Sequence, residues 1–389
     1  MEFLKAYINL LKTVLGSGIL YIPMLYKHYG IIYATMLLVS ACMFSTVGLL
    51  IYARCNHKMN DRSKNIANFC EITFPELRKV VEFAIFFKCF GVATSYLIIV
   101  RDTISILLYD AFPYEIFKNQ KVGLLLFLLI IGPFTYHDEL NKLVYTSFIG
   151  VTAIVFVIGS AIYRLFTLDL APTRELVLTK PINISFITGL GTFVFAFTCH
   201  QNLITIQNEI RANEYPKIKK LVISIMGTAL LVYLIFGGVN YYMFGDNLKD
   251  NVLMNYPDDP LTKLMKIFYV FVMAFSYPLQ VNPCRKYFYS LMNLTSDMAK
   301  NSMALHIIIN TTILVLTYLL TARGLNLGRV YTFIGASASS FICLVLPPLF
   351  SVKMGLYKSK REVFFGSLMF VLGISVFLTM VYDNLMAAS

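Results

Sequence analysis

Leu15-Gly16-Ser17-Gly18-Ile19-Leu20 interrupts the first apolar run of the chain, which extends over residues 6–26. Each glycine lowers helix propensity by roughly 1 kcal/mol, at a depth where lipid offers no partner to a freed N–H or carbonyl. Two readings are open at this point. A small-x-small notch lets two membrane helices approach closely, whereas a break in the helix is tolerated only around a protein-lined cavity.

The chain around that run is apolar throughout. Of 389 residues, 58% are hydrophobic and 14% charged, and the mean hydropathy of +0.69 excludes both a soluble globular domain and a disordered chain. At about 20 apolar residues per span, the sequence predicts an all-α polytopic membrane protein. Its eleven transmembrane helices are expected at 6–26, 31–53, 81–109, 122–136, 143–166, 183–208, 218–244, 261–292, 303–322, 330–352 and 363–382. No cleavable signal peptide is expected, because the first run reaches Tyr26 without a small-residue cleavage site.

The formal charge of +12 is read as topology rather than as a nucleic-acid footprint, since Lys and Arg gather in cytoplasmic loops. The loop after the second helix carries Arg54, Lys58, Arg62, Lys64, Arg78 and Lys79. Later loops on that side carry Arg211 with Lys217, Lys300, and Lys358 with Lys360. Loops on the other side, with Lys118, Arg164 and Arg174, are poorer. This places the N-terminus in the cytoplasm and, after an odd number of spans, the C-terminus outside or in a lumen. Seven cysteines, with Cys42, Cys89, Cys199 and Cys343 among those within expected helices, do not suggest a disulfide framework. The sequon at Asn183 lies too near the expected membrane surface to be modified.

The expected sixth helix is also unusual: Gly189-Leu190-Gly191-Thr192-Phe193-Val194-Phe195-Ala196-Phe197-Thr198-Cys199-His200-Gln201-Asn202 is polar and glycine-rich where a simple span would be aliphatic. It follows the first helix by five, an odd interval, so the two cross the membrane in opposite directions. That is the inverted-repeat pattern in which two broken helices meet near the midplane to form a transporter site. The break reading of residues 16–18 gains accordingly, with its counterpart at about residues 195–200.

Five blocks in register resemble the amino acid/auxin permease family. They are Asn9-Leu10-Leu11-Lys12-Thr13 with Gly16-Ser17-Gly18 and Pro23; the third helix from Phe90 to Asp102; Phe195 to His200 with Ile206, Glu209 and Ile210; Ser276-Tyr277-Pro278-Leu279-Gln280 with Pro283 and Arg285; and Gly335-Ala336-Ser337 through Pro347 to Phe350. The resemblance implies secondary transport of amino acids on a leucine-transporter-type 5+5 inverted repeat. Residues 1–166 and 183–352 would be the repeats and 353–389 an appended eleventh helix. It also implies a monomer in the lipid bilayer with no cofactor, nearer to vacuolar and lysosomal members than to sodium-coupled ones.

An amino acid brings a carboxylate and an ammonium. Backbone N–H groups of Gly16, Ser17 and Gly18, with Thr13 beside them, are expected to meet the carboxylate, helped by the positive end of the following half-helix. Carbonyls between Phe195 and Thr198 are expected to accept from the ammonium. Phe193, Phe195 and Phe197 are candidates for the side-chain wall, each equally readable as packing.

Lys12 departs from the sodium-coupled branch, which the resemblance endows with an asparagine there and a hydroxyl at the position of Ser276. Either Lys12 snorkels to the interface, or its ammonium replaces sodium and leaves transport proton-coupled or uncoupled. Histidine titrates near neutrality, and His200 is readable as a proton relay or as a brace of the break. Lys88 lies too deep to snorkel and is expected to face the aqueous pathway, whereas Arg101 and Asp102 are expected to pair locally. Scattered histidines and the lack of paired carboxylates argue against an enzyme. A channel or an amino-acid sensor on the same fold stays open as the alternative.

Overall fold

The first apolar run folds as two helices rather than one. α1 (Glu2–Val14) ends as Leu15 donates its N–H to Leu11 at 2.8 Å. Gly16 is non-helical, and Ser17–Leu20 form a single 3-10 turn leading into α2 (Ile22–Tyr29), whose first turn holds Pro23 where its missing N–H is not needed. Gly30, at φ 77°, ends α2 and turns the chain into α3 (Ile31–Lys58). The computed structural model describes residues 2–59, 65–137, 143–168, 176–182, 185–209, 215–294 and 302–388. Arg62, Lys64, Arg174, Asn183, Ile210, Arg211 and Lys300 lie outside the described residues, as does the side chain of Glu209.

A short α4 (Ala67–Ile72) precedes α5 (Arg78–Ala111), which is the axis of the molecule. Its most apolar window is 78% buried, against 22% for Met303–Ala322. At 1.5 Å per residue its 34 residues extend about 50 Å, beyond the roughly 30 Å of a bilayer core. α6 (Gln120–Ile131) begins on Asn119, whose side chain accepts from Lys121 N at 3.0 Å, and gives way to a 3-10 turn at Gly132–Tyr136. α7 (Leu143–Thr167) follows.

α8 (Ser185–Ala196) and α9 (His200–Glu209) divide the expected sixth span. α10 (Tyr215–Phe244) and α11 (Pro260–Leu291) are continuous, the latter capped by Asp259 accepting from Thr262 N at 2.9 Å. Beyond α12 (Met303–Ala322), the next span starts as α13 (Leu327–Ile334), widens into two π-helical stretches, Gly335–Ser339 and Phe341–Val345, and ends as α14 (Leu346–Lys353). α15 (Lys360–Ala388) closes the chain.

Among the described residues, eight helices are long and apolar enough to cross a membrane. The expected first, fourth and sixth spans are not among them: the first and sixth are interrupted between α1 and α2 and between α8 and α9, and the fourth, Gln120–Tyr136, is too short. α5 packs along α11, α1 lies on α7 and α10, α2 and α3 lie on α10, and α8 lies on α15 and the Gly335–Ser339 stretch. Ion pairs sort to the two ends of this bundle. Arg54 with Glu362 (3.1 Å) and Arg78 with Glu71 (3.0 Å) mark one end; Lys263 with Asp110 (2.8 Å) and Arg164 with Asp259 mark the other. Exposed pairs of this kind contribute about 0–1 kcal/mol, so they report antiparallel packing more than stability.

α8 crosses the π-helical stretch backbone to backbone. A Cβ on Gly191 would stand 2.6 Å from Ala336 Cα, and one on Gly335 would stand 2.5 Å from the Gly191 carbonyl oxygen. Backbone atoms cannot yield as a flexible side-chain tip can. Gly191→Val is therefore expected to lose about 1–3 kcal/mol through overpacking. Gly227→Ala, which meets nothing within 4 Å, should stay within about 1 kcal/mol of the parent. Thermal unfolding of the two purified variants in detergent separates these outcomes.

Candidate functional site

The second break mirrors the first. Residues 197–199 leave the helix between α8 and α9, held by tight turns from Phe197 N to Val194 O (3.1 Å) and from Thr198 N to Phe195 O (3.0 Å). The Thr198 hydroxyl turns back to Val194 O at 2.8 Å. The two breaks touch: a Cβ on Gly18 would lie 3.6 Å from Ala196 Cα.

Interrupting a helix leaves carbonyls without the N–H of a following turn. Tyr233 of α10 meets two of them at once, its hydroxyl lying 2.6 Å from Val14 O and 2.9 Å from Ala196 O. A phenol has one proton, so that proton is shared between the ends of α1 and α8. Tyr269 of α11 donates to Gly16 O at 2.8 Å. Ser17 Oγ lies 3.1 Å from Ser95 Oγ of α5, and Asn202 of α9 donates to Thr13 Oγ1 at 3.3 Å.

Between the breaks lies a cavity of about 20 Å³, lined by Thr13, Gly16, Ser17, Gly18, Lys88, Tyr96, Phe195, Thr198 and Gln280 together with smaller apolar groups. That volume holds about one water, so a larger ligand enters only if the walls move. Phe195 packs tilted against Tyr331 (ring centroids 4.7 Å) and Tyr331 meets Tyr21 edge-on (5.4 Å). Tyr21 also lines a second cavity of about 860 Å³, whose polar walls include His28, Asp250, Arg329 and Asp383. The three aromatic rings therefore form the partition between the small cavity and the large one.

Six expected site residues share the small cavity: Thr13, Gly16, Ser17, Gly18, Phe195 and Thr198. Phe193 and Phe197 do not line it. Residues two apart on a helix point to opposite sides, so with Phe195 facing the cavity Phe193 packs on Tyr29 (5.7 Å), whereas Phe197, already in the break, packs on Tyr233 (5.2 Å).

The three expected coupling residues lie outside the lining. Lys12 does not snorkel. It is 5% exposed and its stem lies against α7, where a Cβ on Gly150 would stand 2.9 Å from Lys12 Cε. Its ammonium has no hydrogen-bond partner among the described residues. Ser276 is buried in α11, and among the described residues no hydrogen bond joins it to Lys12. His200 is fully buried, with Nδ1 3.2 Å from Cys343 Sγ, which in turn lies 3.3 Å from Thr198 Oγ1.

Sequence reading missed Tyr233, Tyr269, Tyr331, Tyr96 and Gln280 as parts of the site. It noticed Lys88 only by its depth. The Lys88 ammonium donates to Thr198 O at 3.2 Å and to Gln201 Oε1 at 2.7 Å, and so takes one of the carbonyls assigned above to a substrate ammonium. Arg101 and Asp102 pair locally at 2.7 Å, and Arg101 also donates to Thr321 O and Leu325 O.

Tyr233→Phe strips the donor from two helix-end carbonyls in an apolar interior, at about 1–3 kcal/mol for each group left unpaired. A clear fall in the unfolding midpoint is expected. Tyr163→Phe, at a position 57% exposed, should leave it unchanged.

The sequence matches the family described as transmembrane amino acid transporter protein over residues 1–385. Vacuolar amino acid transporter 5 of Schizosaccharomyces pombe is 28% identical over 347 residues, covering 89% of this chain and 83% of that protein. Sodium-coupled neutral amino acid transporter 7 of Bos taurus is 25% identical over 405 residues, covering 96% and 86%. The inward-facing structure of Mhp1 superposes with a TM-score of 0.61 at 12% identity, over 98% of this chain and 90% of that one, which places the chain among leucine-transporter-type folds. With its family description spanning nearly the whole sequence, and in the resembling order of motifs, the chain belongs to the amino acid/auxin permease family of transmembrane amino acid transporters, a family of carriers and not of enzymes.

Proposed function

We propose that the chain is a secondary active transporter of amino acids working by alternating access, proton-coupled or uncoupled rather than sodium-driven. The observation that carries this reading is the meeting of two helix breaks around one buried cavity in a member of an amino acid transporter family. Eight continuous spans, two interrupted ones at 2–29 and 185–209, and the short Gln120–Tyr136 make eleven. Residues 1–166 and 183–352 form the two inverted five-helix repeats, and 353–389 carry the added helix. The N-terminus is cytoplasmic and the C-terminus lumenal. A relative named as a vacuolar transporter supports the vacuolar membrane as the place of residence, with the chain acting as a monomer.

In this reading the substrate carboxylate meets the N–H groups of Gly16, Ser17 and Gly18 at the positive start of the next half-helix. Thr13, Phe195 and Thr198 complete the wall, and Phe193 and Phe197 back it from behind. Parting of the Phe195–Tyr331–Tyr21 partition opens the cavity toward the large one. Movement of α1 away from α7 and α10 opens the opposite side.

Coupling rests on Lys12. A buried ammonium at the position where sodium-coupled relatives are expected to hold an asparagine repels sodium and supplies a positive charge in its place. Such a residue is held in a membrane at roughly 2.5–3.5 kcal/mol. Ser276 of α11 keeps the hydroxyl that the resemblance assigns to the sodium position, and His200, beside the second break and Cys343, is the group proposed to carry the proton.

Uptake into proteoliposomes should persist when sodium is replaced by choline and should respond to an imposed proton gradient or to none. Collapse without sodium would contradict the reading. Lys12→Met, which keeps the stem and removes the charge, should cut sodium-independent uptake at least about tenfold, the equivalent of 1.4 kcal/mol, while the protein remains folded.

A further inference from the structure

Lys88 is the one charged side chain among the residues lining the small cavity, and no Asp or Glu is among them. It is 2% exposed. An ammonium carries three protons; two are given to Thr198 O and Gln201 Oε1, and the third is available to a ligand. Lys12, the other buried ammonium of this region, is aimed at α7 instead. The nearest acid along α5 on the other side, Glu82, is six residues away, about 9 Å along the helix. It is already occupied by Arg78 (3.1 Å) and by Ser290 (2.6 Å). Nothing in the lining therefore offsets the charge of Lys88.

From this geometry we propose that Lys88 is the charge-selecting residue of the substrate cavity, admitting amino acids with acidic side chains and rejecting those with basic ones. The inference rests on the amino acid transport reading above. The two ends of the cavity divide the work. The break at Gly16, Ser17 and Gly18 takes the backbone carboxylate that every amino acid shares, and so carries no information about the side chain. Lys88 stands at the other break, on α5, where its free N–H can meet a second carboxylate. A basic side chain brought to the same place would set two like charges together in a site shielded from water, where their repulsion is little screened.

Its partners give the position a second handle. Gln201 holds the ammonium as a neutral acceptor, so Gln201→Glu would neutralise Lys88 in place without removing it. The charge filter thus predicts that two chemically different substitutions, Lys88→Gln and Gln201→Glu, shift selectivity in the same direction. Lys88→Arg, which keeps the charge, should not.

The test is uptake of labelled glutamate and labelled lysine by the full-length protein in proteoliposomes, with each measured as a ratio to a neutral amino acid. The wild type should favour glutamate over lysine by at least about tenfold, or 1.4 kcal/mol. Lys88→Gln and Gln201→Glu should each lower that preference at least about tenfold, with Lys88→Arg near the wild type. Comparable uptake of lysine and glutamate by the wild type would overturn the filter whether or not any variant folds. An unchanged ratio in Gln201→Glu that still carries the neutral amino acid would do the same. Uptake of no amino acid at all would overturn the transport reading, and the filter with it.

Discussion

Within a bilayer every backbone N–H and carbonyl must find a partner inside the protein, and an interrupted helix breaks that condition in the middle of the membrane. Much of the molecule is arranged around meeting it. The exposed ends of α1 and α8 share the proton of Tyr233, Gly16 O takes that of Tyr269, and Thr198 O takes an ammonium proton from Lys88. These donors come from α5, α10 and α11, so the long continuous helices form the frame that keeps the broken ones open. The cost of interruption is thereby converted into a polar, buried and movable site.

The same condition accounts for several cations set among carbonyls in the interior. Lys88 is bonded to the carbonyl at the second break. Arg285, fully buried, donates to Thr135 O (2.7 Å) in the 3-10 turn of the fourth span and to Asn310 Oδ1 (3.0 Å). Arg101 donates to the carbonyls of Thr321 and Leu325 at the end of α12. In each case carbonyl dipoles, the negative ends of turns and helices, accept from the cation, and Arg101 is shared with the Asp102 carboxylate as well. The net charge of +12 therefore has two origins, loops that set topology and cations that close interrupted helices.

The breaks themselves were legible in the sequence because glycine and serine in an apolar run carry a local signal, and five-helix spacing linked the two. Six cavity residues followed from that. The tyrosines were not legible. Tyr233 lies 219 residues from Val14 and 37 from Ala196, and nothing near it marks it apart from the other aromatic residues of a membrane helix. Phe193 and Phe197 were grouped with Phe195 by composition, although the two-residue spacing of Phe193 and Phe195 on α8 already forbids one shared face, and Phe197 falls in the break itself. For Lys12 the sequence left snorkelling open, since distance from the helix start does not reveal that α7 covers it. The fourth span, short and ending in Gly132-Pro133, gives way there to a 3-10 turn.

The central claim is that both breaks enclose one substrate. Single cysteines at the two breaks, Ser17→Cys and Thr198→Cys, test it directly through the rate of alkylation by a small thiol reagent, read at each site by mass spectrometry against the seven native cysteines, all of them buried. The account predicts that one transported amino acid slows alkylation at both positions with the same half-saturating concentration. Protection at one position alone, or at neither, would contradict it.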